Sequence, residues 1–188
     1  MKILVVGKGG REHAIITALH ESPTETEIYS FPGSDAIFEI AIPVEVDGLP
    51  GLIAFMKEEG IDLCVAGEES YLVRDEGLAN ACATAGIPCW GPPKEAAQLE
   101  ASKEFAKEFM VRHGIPTGGY ASVNNIDDAR LAIGGKYPTV LKFDGLAAGK
   151  GVAVCPDQES AEEFLNEVLV ERKFGEGNLL VEEFLDGP

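Results

Sequence analysis

A chain of 188 residues that is 45% hydrophobic and 25% charged has a soluble globular composition, with length for one or two domains. Its formal net charge of −17 repels nucleic acid and anionic membrane, which leaves small molecules, including phosphorylated ones, as the expected partners. Cys64, Cys82, Cys89 and Cys155 are scattered without C-x-x-C spacing or a histidine at metal-ligand distance, so reduced thiols are expected rather than a disulfide framework or a metal site.

Met1-Lys2 passes straight into the apolar run Ile3 to Val6, which ends in Gly7 as a buried parallel strand does. No secretory region precedes it and no run approaches the roughly 18 apolar residues of a membrane span, so the expectation is cytoplasmic. A helix is predicted over Arg11 to Glu21 from the spacing of Ala14, Ile15, Ala18 and Leu19. Ile28 to Phe31 reads as a second strand, stopped by Pro32-Gly33. Gly51 to Glu59 reads as a helix with Leu52, Phe55 and Met56 on one face, and Asp62 to Ala66 as a strand ending in Gly67. A helix over Leu72 to Ala85, closed by Gly86, leads to a fourth strand at Ile87 to Trp90. Strands and helices alternating at this rhythm imply an α/β, doubly wound parallel sheet over residues 1–92.

Gly91-Pro92-Pro93 breaks the pattern. A helical connection is expected over 93–117, with a helix from Lys94 to His113 interrupted near Ser102, whose hydroxyl can cap a second segment. Residues 118–188 then read as α+β. Strands are predicted at Gly119 to Val123, Thr139 to Phe143, Val152 to Cys155 and Asn178 to Phe184, with helices at Asp127 to Ile133 and Ser160 to Lys173.

Two glycine loops carry the chemistry. Gly7-Lys8-Gly9-Gly10 lies between a strand and a helix, where backbone N–H groups and the helix dipole can hold an anion. It is not the dinucleotide fingerprint, because Glu12 stands at the third glycine and Pro32-Gly33 where a ribose-binding acid belongs. A tight turn and a phosphate site both fit it, and Arg11 and His13 favour the anion. His13 itself reads better as a packing or hydrogen-bonding group than as a base. The second loop, "KFDGLAAGKGV" at 142–152, is not a P-loop. Three residues separate Gly145 from Gly149, Gly151 replaces the hydroxyl that holds magnesium, and a strand follows instead of a helix. A glycine-rich hairpin between strands suggests a flap over nucleotide phosphates, with Lys142 at its base. A hairpin whose glycines serve turn geometry alone is the plainer alternative.

"GKGGREHA" at 7–14, "AAQLEASKEFAKEFMVRHGIPT" at 96–117, "KFDGLAAGKGV" and "EEFLDG" at 182–187 occur in order. Together they resemble the amino-terminal half of the phosphoribosylamine–glycine ligase, or glycinamide ribonucleotide synthetase, family of ATP-grasp enzymes. The resemblance covers nearly the whole chain and implies a pre-ATP-grasp sheet followed by a partial ATP-grasp flap domain. It implies joining of glycine to 5-phosphoribosylamine through a glycyl phosphate, with ATP and Mg2+, in purine biosynthesis. It assigns Lys142, Asp144 and Lys150 to catalysis. Lys103, Lys142, Gly145, Gly149, Gly151, Glu182, Glu183, Phe184 and Leu185 are assigned to the nucleotide, with plain core as the other reading of Phe184 and Leu185. Gly7, Gly9, Gly10, Arg11, Pro32 and Gly33 are assigned to the sugar phosphate. Lys8, Ser34 and Glu68 depart from the family's usual residues, all on the sugar-phosphate side. Family members run to more than twice this length, so the resemblance implies an incomplete, inactive portion with its metal ligands beyond residue 188. A non-catalytic nucleotide-binding module and another ATP-grasp ligase of purine synthesis remain the alternatives, and a nicotinamide-dependent dehydrogenase is disfavoured by Glu12 and Pro32.

Overall fold

The computed structural model describes residues 1–147 and 149–187. The chain divides into two compact units, Met1–Ala97 and Gln98–Pro188.

In the first unit, β1 (Lys2–Gly7), β2 (Glu27–Pro32), β3 (Ile42–Pro43), β4 (Leu63–Ala66) and β5 (Cys89–Trp90) form a parallel sheet in the order β3-β2-β1-β4-β5. The helices are α1 (Gly10–His20), α2 (Asp35–Phe38), α3 (Gly48–Glu59), α4 (Ser70–Val73) and α5 (Leu78–Ala85). The continuous apolar run of β1 has a simple cause, since side chains alternate across a strand and both faces here are covered. Leu4 and Val6 pack with Leu52, Met56, Cys64 and Leu78, while Ile3 and Val5 pack with Ile16, Ile28 and Ile37 on the other face.

Three local expectations change. The helix expected over Leu72 to Ala85 is two helices, because the chain leaves helical conformation at Asp75 (φ 52) and Gly77 (φ 84). In α1 the buried residues are Glu12 and Ile16, with Ala14 and Ala18 exposed, so its inward face is rotated from the one read from the sequence. The short α2 and β3 were not anticipated, being below the length at which periodicity can be read.

In the second unit, β6 (Tyr120–Val123), β7 (Thr139–Phe143), β8 (Val152–Cys155) and β9 (Leu179–Glu183) form an antiparallel sheet in the order β6-β9-β7-β8. Helix α6 (Lys94–Ala101) runs through the division between the units, and α7 (Lys103–Arg112) follows it. The interruption at Ser102 is present: its hydroxyl accepts the Phe105 N–H at 3.0 Å and caps α7. Helix α8 (Ile126–Ile133) is capped by Asn125. Helix α9 (Gln158–Leu165) starts before the expected Ser160 because Asp157 caps it, and it continues as π-helical turns over Asn166–Val170. Leu141, Phe143, Leu179 and Val181 face one core with Ala129, Ile133 and Leu165. The period of two places Lys142 and Glu182 on the other face of β7 and β9.

Candidate functional site

In the second unit, the basal residues of the glycine hairpin meet the end of β9. Lys142 Nζ donates to Glu182 Oε2 at 2.9 Å, and Lys107 Nζ from α7 approaches the same oxygen at 2.8 Å. The side chains of Lys107 and Glu182 are 8% and 7% exposed, against 28% for Lys142, so Lys142 is the member of the group that still faces solvent. Lys107 also donates to Thr117 Oγ1 at 2.9 Å and to the Gly118 carbonyl at 3.2 Å. Glu182 Oε1 is buried and has no hydrogen-bond partner among the described residues. Two ammonium groups on one carboxylate leave a net positive charge, which suits a phosphate-bearing ligand. Lys107 was missed from the sequence. Its signal was the four-residue spacing from Lys103, which sets both lysines on one helical face.

Asp144, directly after β7, serves the start of α7. Its Oδ1 accepts the N–H groups of Lys103 and Glu104 at 2.5 and 3.2 Å, and its Oδ2 accepts the Ser102 hydroxyl at 3.0 Å. A carboxylate there answers unpaired donors and the positive end of the helix dipole. Lys103 Nζ donates to the Gly145 carbonyl at 3.0 Å, so the first flap glycine and the start of α7 are tied in both directions.

The flap glycines divide by surroundings. A Cβ on Gly145 would lie 2.7 Å from the Phe143 ring, and one on Gly151 would lie 2.7 Å from Ala147 Cβ and 3.2 Å from Phe143. Those two glycines allow the loop to close around a buried phenylalanine. Gly149 has nothing within 4 Å of such a position and is exposed with Lys150 at the hairpin's outer part. Ala148, within the same flap reading, lies outside the described residues. Beyond β9, Glu183 Oε2 accepts the Gly119 N–H at 3.2 Å. Phe184 and Leu185 are 39% and 66% exposed, so neither is buried among the described residues. Phe184, Glu183, Tyr120, Lys136 and Thr139 are among the residues around a cavity of about 500 Å³.

In the first unit, the sugar-phosphate candidates gather at the carboxyl ends of the strands. The order of the sheet reverses between β1 and β4, the place where open α/β sheets hold ligands. Gly7 is in register with Pro32, and the Gly33 N–H donates to the Gly7 carbonyl at 3.2 Å. The N–H groups of Gly67 and Glu68 donate to Val6 at 2.9 and 3.1 Å. Gly9, Gly10 and Arg11 are exposed, and the Arg11 guanidinium contacts Glu69 at 2.7 Å. The Glu69 carboxyl lies below the usual carboxylate range because its own backbone N–H donates to it, with Arg11 adding to the effect.

Glu12 is the residue whose importance the sequence reading missed. It is 4% exposed, and its Oε2 accepts the Gly9 N–H at 2.7 Å, the return half of a capping box. Its Oε1 is buried without a partner among the described residues. A Cβ added at Gly7, whose φ is 137°, or at Gly67 would lie 2.5 Å from Glu12 Cγ. Both glycines therefore make room for this carboxylate. The signal was the spacing Gly9-x-x-Glu12, that of an N-cap and its third helical residue.

Residues 1–100 match the family described as phosphoribosylglycinamide synthetase, N domain, and residues 101–188 match its ATP-grasp (A) domain. The chain belongs to the phosphoribosylglycinamide synthetase family. A phosphoribosylamine–glycine ligase of Vibrio parahaemolyticus is 41% identical over 194 residues, a match covering 100% of this chain and 45% of the relative. The solved phosphoribosylamine–glycine ligase of Thermotoga maritima superposes with a TM-score of 0.78 at 28% identity, over 100% of this chain and 45% of that one. The biotin carboxylase domain of a Hydrogenobacter thermophilus 2-oxoglutarate carboxylase, solved with MgADP and bicarbonate, gives a TM-score of 0.71 over 98% of this chain and 44% of that one; at 24% identity it shows the fold alone. The chain thus spans about half the length of these relatives. As a phosphoribosylglycinamide synthetase family member it carries the expected fold class, a parallel α/β sheet followed by part of an ATP-grasp domain. No helix among its described residues is long and apolar enough to cross a membrane.

Proposed function

We propose that this chain supplies the nucleotide grip and the sugar-phosphate loops of an ATP-dependent ligase joining glycine to 5-phosphoribosylamine. In that reaction ATP phosphorylates the glycine carboxylate, and the sugar amine displaces phosphate to give glycinamide ribonucleotide and ADP. The observation that carries the reading is the shared carboxylate of Glu182, which holds Lys107 in the interior and leaves Lys142 partly exposed beside the glycine hairpin.

Lys142 and Lys103 would meet the nucleotide phosphates, with Gly149 and Lys150 covering them and water shut out of the acyl phosphate. Gly145 and Gly151 would act through the loop's shape. Glu182 and Glu183 would position the nucleotide end of β9, and the exposed Phe184 and Leu185 would supply apolar surface for its base. On the other unit, Gly7, Pro32 and Gly33 shape the loop edge where the sugar phosphate would bind. The Gly9 N–H is already held by Glu12, so Gly10 and Arg11 in the first turn of α1 would contribute more directly.

Magnesium takes oxygen ligands. The carboxylates around the hairpin are engaged, Asp144 with α7, Glu182 with two lysines and Glu183 with a backbone N–H. The described residues gather no oxygen donor set that fits the ion.

Calorimetric titration of the chain with ATP should give a binding isotherm that Lys142→Ala weakens by about tenfold or more, a change of about 1.4 kcal/mol. Binding of ribose 5-phosphate, a stand-in for the sugar substrate, should be unchanged in the same variant. Equal ATP affinity in both proteins would remove Lys142 from the nucleotide site. ADP release that depends on glycine and phosphoribosylamine, measured on protein of the relatives' full length, tests the reaction, and release with a different amine acceptor would favour another ATP-grasp ligase of purine synthesis.

A further inference from the structure

Away from both loops, three thiols meet inside the first unit. Cys64 on β4, Cys82 on α5 and Cys89 on β5 place their sulfur atoms within 4.8 Å of one another. We propose that these three cysteines form a site for a thiophilic monovalent cation, Cu(I).

The backbone holds the three positions together independently of any ion. Cys64 and Cys89 are register partners on adjacent strands, and the Cys64 N–H donates to the Pro88 carbonyl at 2.9 Å. The Ile87 N–H donates to the Cys82 carbonyl at 2.9 Å, fixing the end of α5 against the entry to β5. A metal–sulfur bond of about 2.3 Å in a trigonal set spaces its sulfurs about 4 Å apart. Closing from the observed spacing therefore takes less than about 1 Å of side-chain movement, within reach of cysteine rotamers.

The donor set selects the ion. No histidine or carboxylate joins the three thiols among the described residues, whereas structural zinc takes four ligands. Soft thiolates alone favour Cu(I), which accepts a three-coordinate sulfur set. Cys64 and Cys82 are fully buried, but Cys89 is partly exposed at a depression bordered by Ala66, Trp90, Gly91 and Pro92. That depression is the entry path. Copper–sulfur bonds form as thiol protons pass to solvent, and the copper remains monovalent, so neither oxidant nor reductant is consumed. Buried cysteines also serve as small apolar side chains, and core filling is the outcome that the experiment must separate from binding.

The test is an anaerobic titration of the 188-residue chain with Cu(I), supplied as its acetonitrile complex, in competition with the chromophoric chelator bicinchoninate. The expected result is one Cu(I) taken from the chelator per chain, with only sulfur in the first coordination shell by X-ray absorption. Cys89→Ser should lower the affinity by more than about 100-fold, the upper end of the effect of losing an outer-shell partner. Cys155→Ser should leave it unchanged. Circular dichroism of each variant must match the parent, and Cys89→Ala replaces Cys89→Ser if the hydroxyl disturbs the sheet. Failure to take Cu(I) from the chelator, binding undiminished without the Cys89 thiol, or preferential uptake of Zn2+ would each overturn the proposal.

Discussion

Glu12 and a methyl group at position 67 would compete for one volume, since a Cβ on Gly67 falls 2.5 Å from Glu12 Cγ and 2.6 Å from Oε1. Gly67→Ala should therefore destabilise the first unit by about 1–3 kcal/mol, the usual range for overpacking. Adding Glu12→Ala should return part of that loss, giving a coupling energy of about 0.5–3 kcal/mol in a double-mutant cycle. Urea unfolding followed by the fluorescence of Trp90, the chain's single tryptophan, reads this unit directly; strictly additive losses would disprove the shared space. In the second unit, Glu182→Gln would leave Lys107 buried without its counter-charge. A cost of about 3–5 kcal/mol is expected, measured by urea denaturation with far-UV circular dichroism. Lys107→Met should cost less, because it preserves the pair of Lys142 and Glu182. At this scale Lys142 stood out in the sequence as a lysine at the base of a glycine-rich loop, whereas Lys103, far from any glycine, entered only through the family resemblance. The role of Glu182 could not be read there, since its contact with Lys142 depends on how two strands far apart in the chain come into register.

Helix α9 offers an element whose start responds to pH. The Asp157 carboxyl lies below the usual carboxylate range because it accepts first the Ser160 backbone N–H and then the Ser160 hydroxyl. A depressed folded-state pKa means that the stabilisation is complete above the ordinary aspartate value of about 3.9 and is lost as pH falls through the folded value. The parent should thus exceed Asp157→Asn in urea midpoint near neutrality, and the gap should shrink as pH falls below about 4. A gap that stays constant to low pH would show that the charge contributes nothing beyond the cap geometry. Capping also marks what was legible among the elements. Ser102 announced the break between α6 and α7, and the alternation of apolar strands with helices announced the parallel sheet. The split of α4 from α5 stayed hidden because apolar spacing continues across a turn that only Asp75 and Gly77 make visible. The capping of α7 by Asp144 was equally hidden, since the partners are 41 residues apart for Lys103.

For the whole molecule, the two units carry their candidate chemistry separately. ATP should slow hydrogen exchange in β7, β8, β9 and the hairpin while leaving the sheet of the first unit unchanged. Ribose 5-phosphate should slow exchange in the segments joining β1 to α1 and β4 to α4. Protection of the same segments by both compounds would contradict the assignment of one ligand to each unit. In the sequence this proposed division rests on two dissimilar glycine loops, each next to its own strand.

The central strand of the first unit has a further consequence for how that unit comes apart. Leu4 and Val6 belong to one apolar layer, and Ile3 and Val5 to the other. Stripping either layer exposes one side of the same six-residue strand and weakens its pairing with both β2 and β4. The layers are accordingly expected to share a single melting event. Loosening the helices on one side should be felt through β1 by those on the other.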